Sequence, residues 1–167
     1  TLLERLQMMA FLNSGLEITL SDERSTQSDQ VEPTTFCYEG GIRDFVEHLN
    51  ASKESLFSLV GYLDQHEDGN EVELAFQWNT GFNTDGLHSF ANGINTIEGG
   101  MHEEGFRSAL TGVLNRYARN RGLLKDNDDN LKGEDIREGL TAIISVRLPD
   151  PQFEGQTKSK LGNVDTR

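Results

Sequence analysis

The chain has 167 residues, of which 35% are hydrophobic, and this size and composition fit a single folded domain. Its formal net charge of −13 repels nucleic-acid phosphates, so we exclude binding of nucleic acid over the whole surface and expect any such contact to be local. The single cysteine, Cys37, excludes an intramolecular disulfide and favours a reducing, cytoplasmic location, and the sequence has no apolar run of the ~18 residues that a membrane span needs.

The first elements alternate between helix and strand. Apolar residues at helical spacing predict a helix over 1–13, which we expect to lack a cap because no capping residue precedes it. Alternating apolar residues predict a strand over 16–20, and the polar stretch 22–33 predicts a mobile hairpin loop before the strand resumes at 35–38. Helical spacing returns over 42–50 and predicts a short amphipathic helix.

The rest of the chain predicts a sheet with one long covering helix. Strands are expected at 56–63, 71–78, 87–94 and 140–148. In the second of these, alternation predicts one buried face formed by Val72, Leu74, Phe76 and Trp78. The long helix after residue 101 is expected to pack against that face through Phe106, Leu110 and Tyr117. These elements predict an α+β fold without an internal repeat.

The sequence does not support a metal site. Residues 126–130 are similar to the start of a calcium loop. However, Leu131 stands at the sixth position, where glycine is needed, and Arg137 at the twelfth, where a bidentate glutamate is needed. We therefore interpret the stretch as a solvated acidic loop. The four histidines also lack the spacing of metal ligands.

Two cationic features leave alternatives open. Four arginines lie on the long helix: Arg107, Arg116, Arg119 and Arg121. Helical geometry spreads them over several sides, so a solvated surface is favoured over a stripe that binds nucleic acid. After the last core strand, the polar loop 152–163 carries Lys158. A lysine on a loop is usually solvated, and a phosphate contact is the less common outcome.

Several longer motifs follow one another along nearly the whole chain. They are MAFLNSG (9–15), YEGGIRDFVEHLN (38–50), ELAFQWN (73–79), FANGINTIEGGMHEEGF (90–106), GEDIREGLTAIISV (133–146) and PDPQFEGQTKSKLGN (149–163). In these motifs the chain resembles the transducer domain of the ATPase subunit of bacterial type II DNA topoisomerases, the family formed by the B subunit of DNA gyrase and the E subunit of topoisomerase IV. Two positions depart from the family pattern. Met101 stands where threonine is typical, and Lys132 stands where a threonine often precedes Gly-Glu-Asp and can cap the helix.

The resemblance implies a fold and a domain organisation. The fold is the ribosomal S5 domain 2-like fold, with a left-handed βαβ crossover and a mixed sheet covered by helices on one face. Residues 1–13 are then the end of a helix that links from a GHKL ATPase domain absent from this chain, and residues 14–167 are the transducer domain with its mobile loop at 22–33. The motifs of the GHKL domain are absent here, so ATP and Mg²⁺ belong to the intact subunit and the isolated chain is expected to be inactive.

The resemblance also implies a function, namely the coupling of ATP binding and hydrolysis to DNA strand passage and supercoiling in an ATP-hydrolysing type II topoisomerase. Lys158 is expected to reach the γ-phosphate of ATP in the neighbouring domain, with Gln156 beside it. Arg107 matches a family arginine on the wall of a DNA cavity. The implied partners are the GHKL domain of the same chain, a second copy of the subunit in an A2B2 assembly, the DNA-cleaving A-type subunit and double-stranded DNA, with no membrane.

Two alternative functions stay open on the sequence. A non-enzymatic S5-like module that binds nucleic acid should show a coherent basic face, whereas a pure protein-interaction module leaves Lys158 without a role. Within the resembled family, the sequence does not separate gyrase from topoisomerase IV.

Overall fold

The computed structural model describes residues 1–22, 24, 32–82 and 86–167. In chain order its helices and strands are α1 (Leu2–Phe11), β1 (Ile18–Leu20), β2 (Thr34–Phe36), α2 (Ile42–Asn50), β3 (Gly61–Glu67), β4 (Asn70–Trp78), β5 (Leu87–Ala91), β6 (Ile94–Asn95), α3 (Met101–Asn120), α4 (Gly133–Arg137), β7 (Leu140–Arg147), β8 (Phe153–Glu154) and β9 (Lys160–Leu161). Most of the predicted mobile loop, residues 23 and 25–31, lies outside the described residues. On either side of it, β1 and β2 pair in antiparallel register.

Helix α1 has a cap, contrary to the expectation from the sequence. The Thr1 hydroxyl accepts a 3.3 Å hydrogen bond from the Glu4 amide, and the Glu4 carboxylate accepts one in return from the Thr1 amino group. This arrangement is a capping box, which threonine followed by glutamate three residues later allows. The expectation of an uncapped helix start is therefore wrong.

The central sheet has five strands in the order β3-β4-β7-β5-β6. Strand β4 pairs antiparallel with both β3 and β7, whereas β5 runs parallel to β7. The chain returns from β5 to β7 through α3 and α4, which supply the long connection that parallel neighbours require. The predicted α+β class with a mixed sheet is confirmed.

One face of the sheet is covered by α1 and α2. Phe11, Ile42, Phe45 and Val46 pack there against Ala75, Phe90 and Ile143 of the sheet. The rings of Phe11 and Phe45 stack with centroids 4.7 Å apart, which joins the two helices to each other as well as to the strands.

The opposite face is covered by α3 and by the final hairpin. Phe106 of α3 and Phe153 of β8 pack there against a buried cluster that includes Ile144 and Val146, and Val72 and Leu74 of β4 pack against the same cluster. Helices therefore lie on both faces, which corrects the expectation of helices on one face. Strand β7 explains the difference, because its residues are buried from Leu140 through Val146 and a strand buried on both sides needs two covers. No helix in the described residues is long and apolar enough to cross a membrane.

Trp78 does not pack under α3 as the alternation on its strand predicts. Its side chain is half-buried, its ring contacts Phe57 and Phe76, and its indole Nε1 donates a 2.9 Å hydrogen bond to the Ile136 carbonyl of α4. Tyr117 is 52% exposed and does not cover it. The first half of the predicted β4 face, Val72 and Leu74, packs against the same buried cluster as Phe106.

Strand β3 lies several residues after its predicted position of 56–63. The apolar residues Leu56 and Leu59 precede it in a loop and are 61% and 74% exposed. The register is instead set by the tight turn at Asp68 and Gly69, both of which have positive φ (51° and 81°). Such a turn matches the twist of a hairpin and places Glu67 opposite Asn70.

Candidate functional site

Lys158 lies in a short loop between β8 and β9, which pair antiparallel at the end of the chain. We call residues 155–159 the lysine loop. Lys158 has a φ of 55°, in the left-handed region that few non-glycine residues adopt, and its amide donates a 3.4 Å hydrogen bond to the Gly155 carbonyl. Backbone strain of this kind persists where the surrounding structure holds it, as the two paired strands do here.

The Lys158 ammonium group is exposed and unpaired among the described residues. Its nearest aromatic neighbour is the Phe153 ring, whose centroid is 5.7 Å from Nζ. Lys160 in the same hairpin differs, because its Nζ forms a 3.1 Å ion pair with Glu154. Gln156 lies in the same loop as Lys158 and is also exposed. The structure therefore brings the two predicted phosphate-binding residues together and leaves one of the two lysines available to an external anion.

The base of the lysine loop is fixed to the segment that precedes α3. The Glu98 amide donates to the Ser159 carbonyl at 2.9 Å, and the Leu161 amide donates to the Gly99 carbonyl at 3.1 Å. Gly100 and Leu161 also form a parallel bridge. The lysine loop is therefore attached directly to the start of the helix that carries Arg107.

Arg107 lies on the exposed side of α3 and forms an ion pair with Glu103, one turn earlier. It lines a shallow groove of about 650 Å³ between α3 and α4, which we call the arginine groove. Arg137 of α4 lines the same groove, together with Glu104. Two arginines thus line one concave surface, and arginine side chains can hold phosphate groups without reading base sequence.

The other arginines of α3, and Arg121 directly after it, do not line this groove. Arg119 donates hydrogen bonds to the carbonyl oxygens of Lys125 and Asp128 and to the Asn130 side chain, so it holds the acidic loop in place. Arg121 lies over the Tyr117 ring, with its guanidinium carbon 5.4 Å from the centroid. The structure therefore agrees with the helical geometry that argued against a single stripe. Among the described residues, no group of acidic, histidine or cysteine side chains could hold a metal ion.

His102 is a buried polar residue at the start of α3. Its Nε2 lies 3.2 Å from the Thr96 hydroxyl, whereas its Nδ1 is buried without a partner among the described residues. Burial lowers the pKa of His102 to about 4, so the ring is neutral at pH 7. Its surroundings indicate a packed structural residue and not a ligand site.

The sequence analysis did not identify several residues that the structure places in the site. Arg137 joins Arg107 only through the packing of α4 on α3, which no local pattern encodes. Glu103 does have a local signal, because glutamate four residues before arginine is a favourable helical pair. No sequence pattern, by contrast, connects Lys158 with Arg107, because the contacts between their two segments form only on folding.

Comparison with known proteins identifies relatives of this chain. The family model described as DNA gyrase B matches residues 41–167. The B subunit of DNA gyrase from Mycobacterium tuberculosis is 49% identical, over the whole of this chain and 29% of the relative. The B subunit of DNA gyrase from Haloferax volcanii is 56% identical, again over the whole chain and over 25% of the relative. The chain thus spans between a quarter and a third of the length of these relatives.

Solved structures give the same result. The 43K ATPase domain of Thermus thermophilus gyrase B superposes with a TM-score of 0.84 at 33% identity, covering 99% of this chain and 43% of that one. The gyrase B subunit of Myxococcus xanthus gives a TM-score of 0.78 at 29% identity, covering 96% and 43%. The topoisomerase IV ATP binding domain of Francisella tularensis gives 0.77 at 25% identity, covering 99% and 42%, so the fold is common to both enzymes.

Proposed function

Because the chain belongs to the DNA gyrase B family, we propose that it is the transducer domain of an ATP-dependent type II DNA topoisomerase subunit. Its task is to couple ATP binding and hydrolysis to DNA strand passage and supercoiling. Residues 14–167 form this domain, and residues 1–13 are the end of a helix from a preceding GHKL ATPase domain. The share of the Thermus ATPase domain that this chain leaves uncovered supports such a neighbour.

The main chemical support for this proposal is the lysine loop. The Lys158 ammonium is exposed and has no ion-pair partner among the described residues, although the chain has many more carboxylates than cations. An unpaired cation at the tip of a well-anchored hairpin is suited to binding an anion that arrives from outside the domain. We assign that anion as the γ-phosphate of ATP held by the neighbouring domain, with Gln156 as a second hydrogen-bond donor.

The residues in the lysine loop fit a phosphate group. Lys158 and Gln156 are exposed within one short turn, and the ammonium and the side-chain amide can both donate to phosphate oxygens. When bound in the neighbouring domain, ATP with Mg²⁺ supplies the phosphoryl group that is transferred to water. Lys158 would contribute a fixed positive charge beside that group, where charge develops as the bond breaks.

Arg107 is proposed to contact the DNA that passes through the dimeric subunit. Arg107 and Arg137 line the arginine groove together, on one surface of a chain whose net charge is strongly negative. Contacts of this kind hold duplex DNA by its phosphates without sequence preference. The assembly we propose is A2B2, with a second copy of the subunit and the DNA-cleaving A-type subunit, acting in the cytoplasm.

The experiment that tests this function replaces Lys158 in the intact subunit. Lys158→Ala should lower ATP turnover by about 10²–10³-fold, as expected for the loss of one preorganised donor, while ATP binding through the other domain falls much less. Lys160→Ala is the matched control, since it removes the same charge from the same hairpin but from a lysine already paired with Glu154. Similar turnover in the two variants would contradict the assignment of Lys158.

A further inference from the structure

Glu103 connects the central sheet to Arg107. Its Oε2 accepts a 2.9 Å hydrogen bond from the Ser89 hydroxyl on β5, and its Oε1 pairs with the Arg107 guanidinium. The Glu103 side chain is only 15% exposed, against 46% for Arg107. Exposed ion pairs usually order their partners weakly, but this carboxylate is also held from the sheet side by a buried hydroxyl. The Arg107 guanidinium therefore has a fixed partner.

The Glu103 carboxylate also lies beside the segment that anchors the lysine loop. A Cβ on Gly99 would lie 3.0 Å from Glu103 Oε2, so the carboxylate occupies the space next to Gly99 that a side chain would need. The Gly99 carbonyl in turn accepts the hydrogen bond from the amide of Leu161 on β9, two residues after the lysine loop. One continuous run of contacts thus leads from the loop that carries Lys158, through Gly99 and Glu103, to Arg107.

We propose that Glu103 is a positioning residue that fixes the direction of the Arg107 guanidinium and links it to the lysine loop. This role rests on the proposed function, since it requires that Arg107 contacts DNA and that Lys158 contacts ATP. Glu103 does not bind DNA, because a carboxylate repels phosphate groups. It acts through Arg107, by restricting the positions that a long and flexible side chain can take.

Removal of Glu103 should change the DNA contact in opposite directions, depending on whether Arg107 acts only as a positive charge or must be positioned by Glu103. If Arg107 acts as a positive charge alone, loss of a neighbouring carboxylate makes the groove more positive and strengthens the DNA contact. If Glu103 positions Arg107, its loss frees the guanidinium, and the contact weakens because the side chain must be ordered on binding. The proposed function couples the DNA contact to ATP turnover, so a weaker DNA contact should appear as a smaller stimulation of ATP turnover by DNA.

The test uses the intact subunit assembled with the A-type subunit. ATP turnover is measured with and without duplex DNA, and the ratio of the two rates is the readout. Glu103→Ala should lower this ratio by about 3-fold or more, within the range known for residues that modulate coupling. Glu103→Gln keeps one acceptor oxygen and should fall between Glu103→Ala and the parent.

Glu104→Ala is the matched control. Glu104 belongs to the same first turn of α3 and lines the same groove, so its removal changes the charge and the helix-dipole interaction equally. Among the described residues, however, its carboxylate has no ion-pair partner. The ratio for Glu104→Ala should stay at the parental value or rise. An equal ratio for the two alanine variants, or a rise in both, would overturn the role of Glu103.

Two further variants separate this inference from the proposed function. If Arg107→Gln leaves the ratio unchanged, the DNA role of Arg107 fails and the role of Glu103 fails with it. If Arg107→Gln lowers the ratio while Glu103→Ala matches its control, only the role of Glu103 fails. The double variant should be no worse than Arg107→Gln alone. Ser89→Ala, which removes the hydrogen bond from the sheet but keeps the carboxylate, should reproduce part of the loss even if Glu103→Ala folds poorly.

Discussion

Gly100 and Leu161 lie side by side as a parallel bridge, so close that a Cβ on Gly100 would lie 2.4 Å from the Leu161 carbonyl oxygen. Gly100 also has a φ of 148°, which side-chain-bearing residues rarely adopt. This close approach attaches the end of the lysine loop to the start of α3. The absence of a side chain at Gly100 is therefore what lets the two proposed functional residues share one rigid base.

The first prediction concerns this bridge. Gly100→Ala should lower the free energy of unfolding of the isolated chain by about 1–3 kcal/mol, because a methyl group forced against backbone atoms must displace one of the two segments. Gly93→Ala is the control, since Gly93 has a φ of 76° but no atom within 4 Å of its Cβ position, and it should cost only about 1 kcal/mol of backbone strain. Chemical denaturation measures both, and equal losses would show that the close approach to Leu161 is unimportant.

The second prediction concerns Trp78, whose indole ties β4 to α4. Trp78→Phe should lower the free energy of unfolding by about 1 kcal/mol, because the Ile136 carbonyl loses its donor while most of the ring packing remains. Trp78→Ala should cost more, but less than the ~3–5 kcal/mol of a fully buried aromatic residue, since Trp78 is only half-buried. Parental stability of the Trp78→Phe variant would mean that the hydrogen bond contributes nothing.

The third prediction concerns the pH dependence of stability. The unfolded His102 takes up a proton near its ordinary pKa of 6.5, whereas the folded one does so only at about 4. The unfolded state therefore binds more protons between these values, and stability falls as the pH drops from 6.5 towards 4. The loss from His102 alone is on the order of 3 kcal/mol at pH 4. Burial lowers the pKa of His88 in the same direction, so part of the slope belongs to that residue.

Two variants isolate the contribution of His102. His102→Gln should be less stable at pH 7 but should lose less stability than the parent between pH 6.5 and pH 4, because its side chain does not titrate. His88→Gln should remove only the part of the slope that belongs to His88 and should keep the part due to His102. Denaturation midpoints across this pH range provide the measurement. An unchanged slope in His102→Gln would show that His102 is not held neutral by the fold.

Local patterns predicted most of the elements but not what lies on each side of them. The alternation from 71 to 78 correctly indicated a strand. It also implied that a single helix covers both Val72 and Trp78. In the structure Val72 packs against the same buried cluster as Phe106 of α3, whereas the Trp78 indole donates a hydrogen bond to the Ile136 carbonyl of α4. Which helix reaches which end of a strand depends on connections and crossing angles, and these are properties of the whole fold.

In the candidate site, too, local motifs were predicted from the sequence but contacts between distant segments were not. Lys158 and Gln156 were predicted from a motif within one short loop, and the structure adds that the ammonium group is unpaired among the described residues. The contacts from Leu161 to Gly99 and from Ser89 to Glu103 join segments that are distant in the sequence. Such contacts leave no periodic signal, since each depends on two segments that meet only after folding.

The most direct test of the central claim measures whether Lys158 becomes covered when ATP binds. In the intact subunit, the rate at which an amine-reactive reagent labels Lys158 can be compared with the rate for Lys160, by mass spectrometry, in the presence of a non-hydrolysable ATP analogue or of ADP. If Lys158 contacts the γ-phosphate, the analogue should slow labelling of Lys158 strongly, ADP should not, and Lys160, already paired with Glu154, should respond to neither. Equal labelling of Lys158 with both nucleotides would contradict the proposed contact.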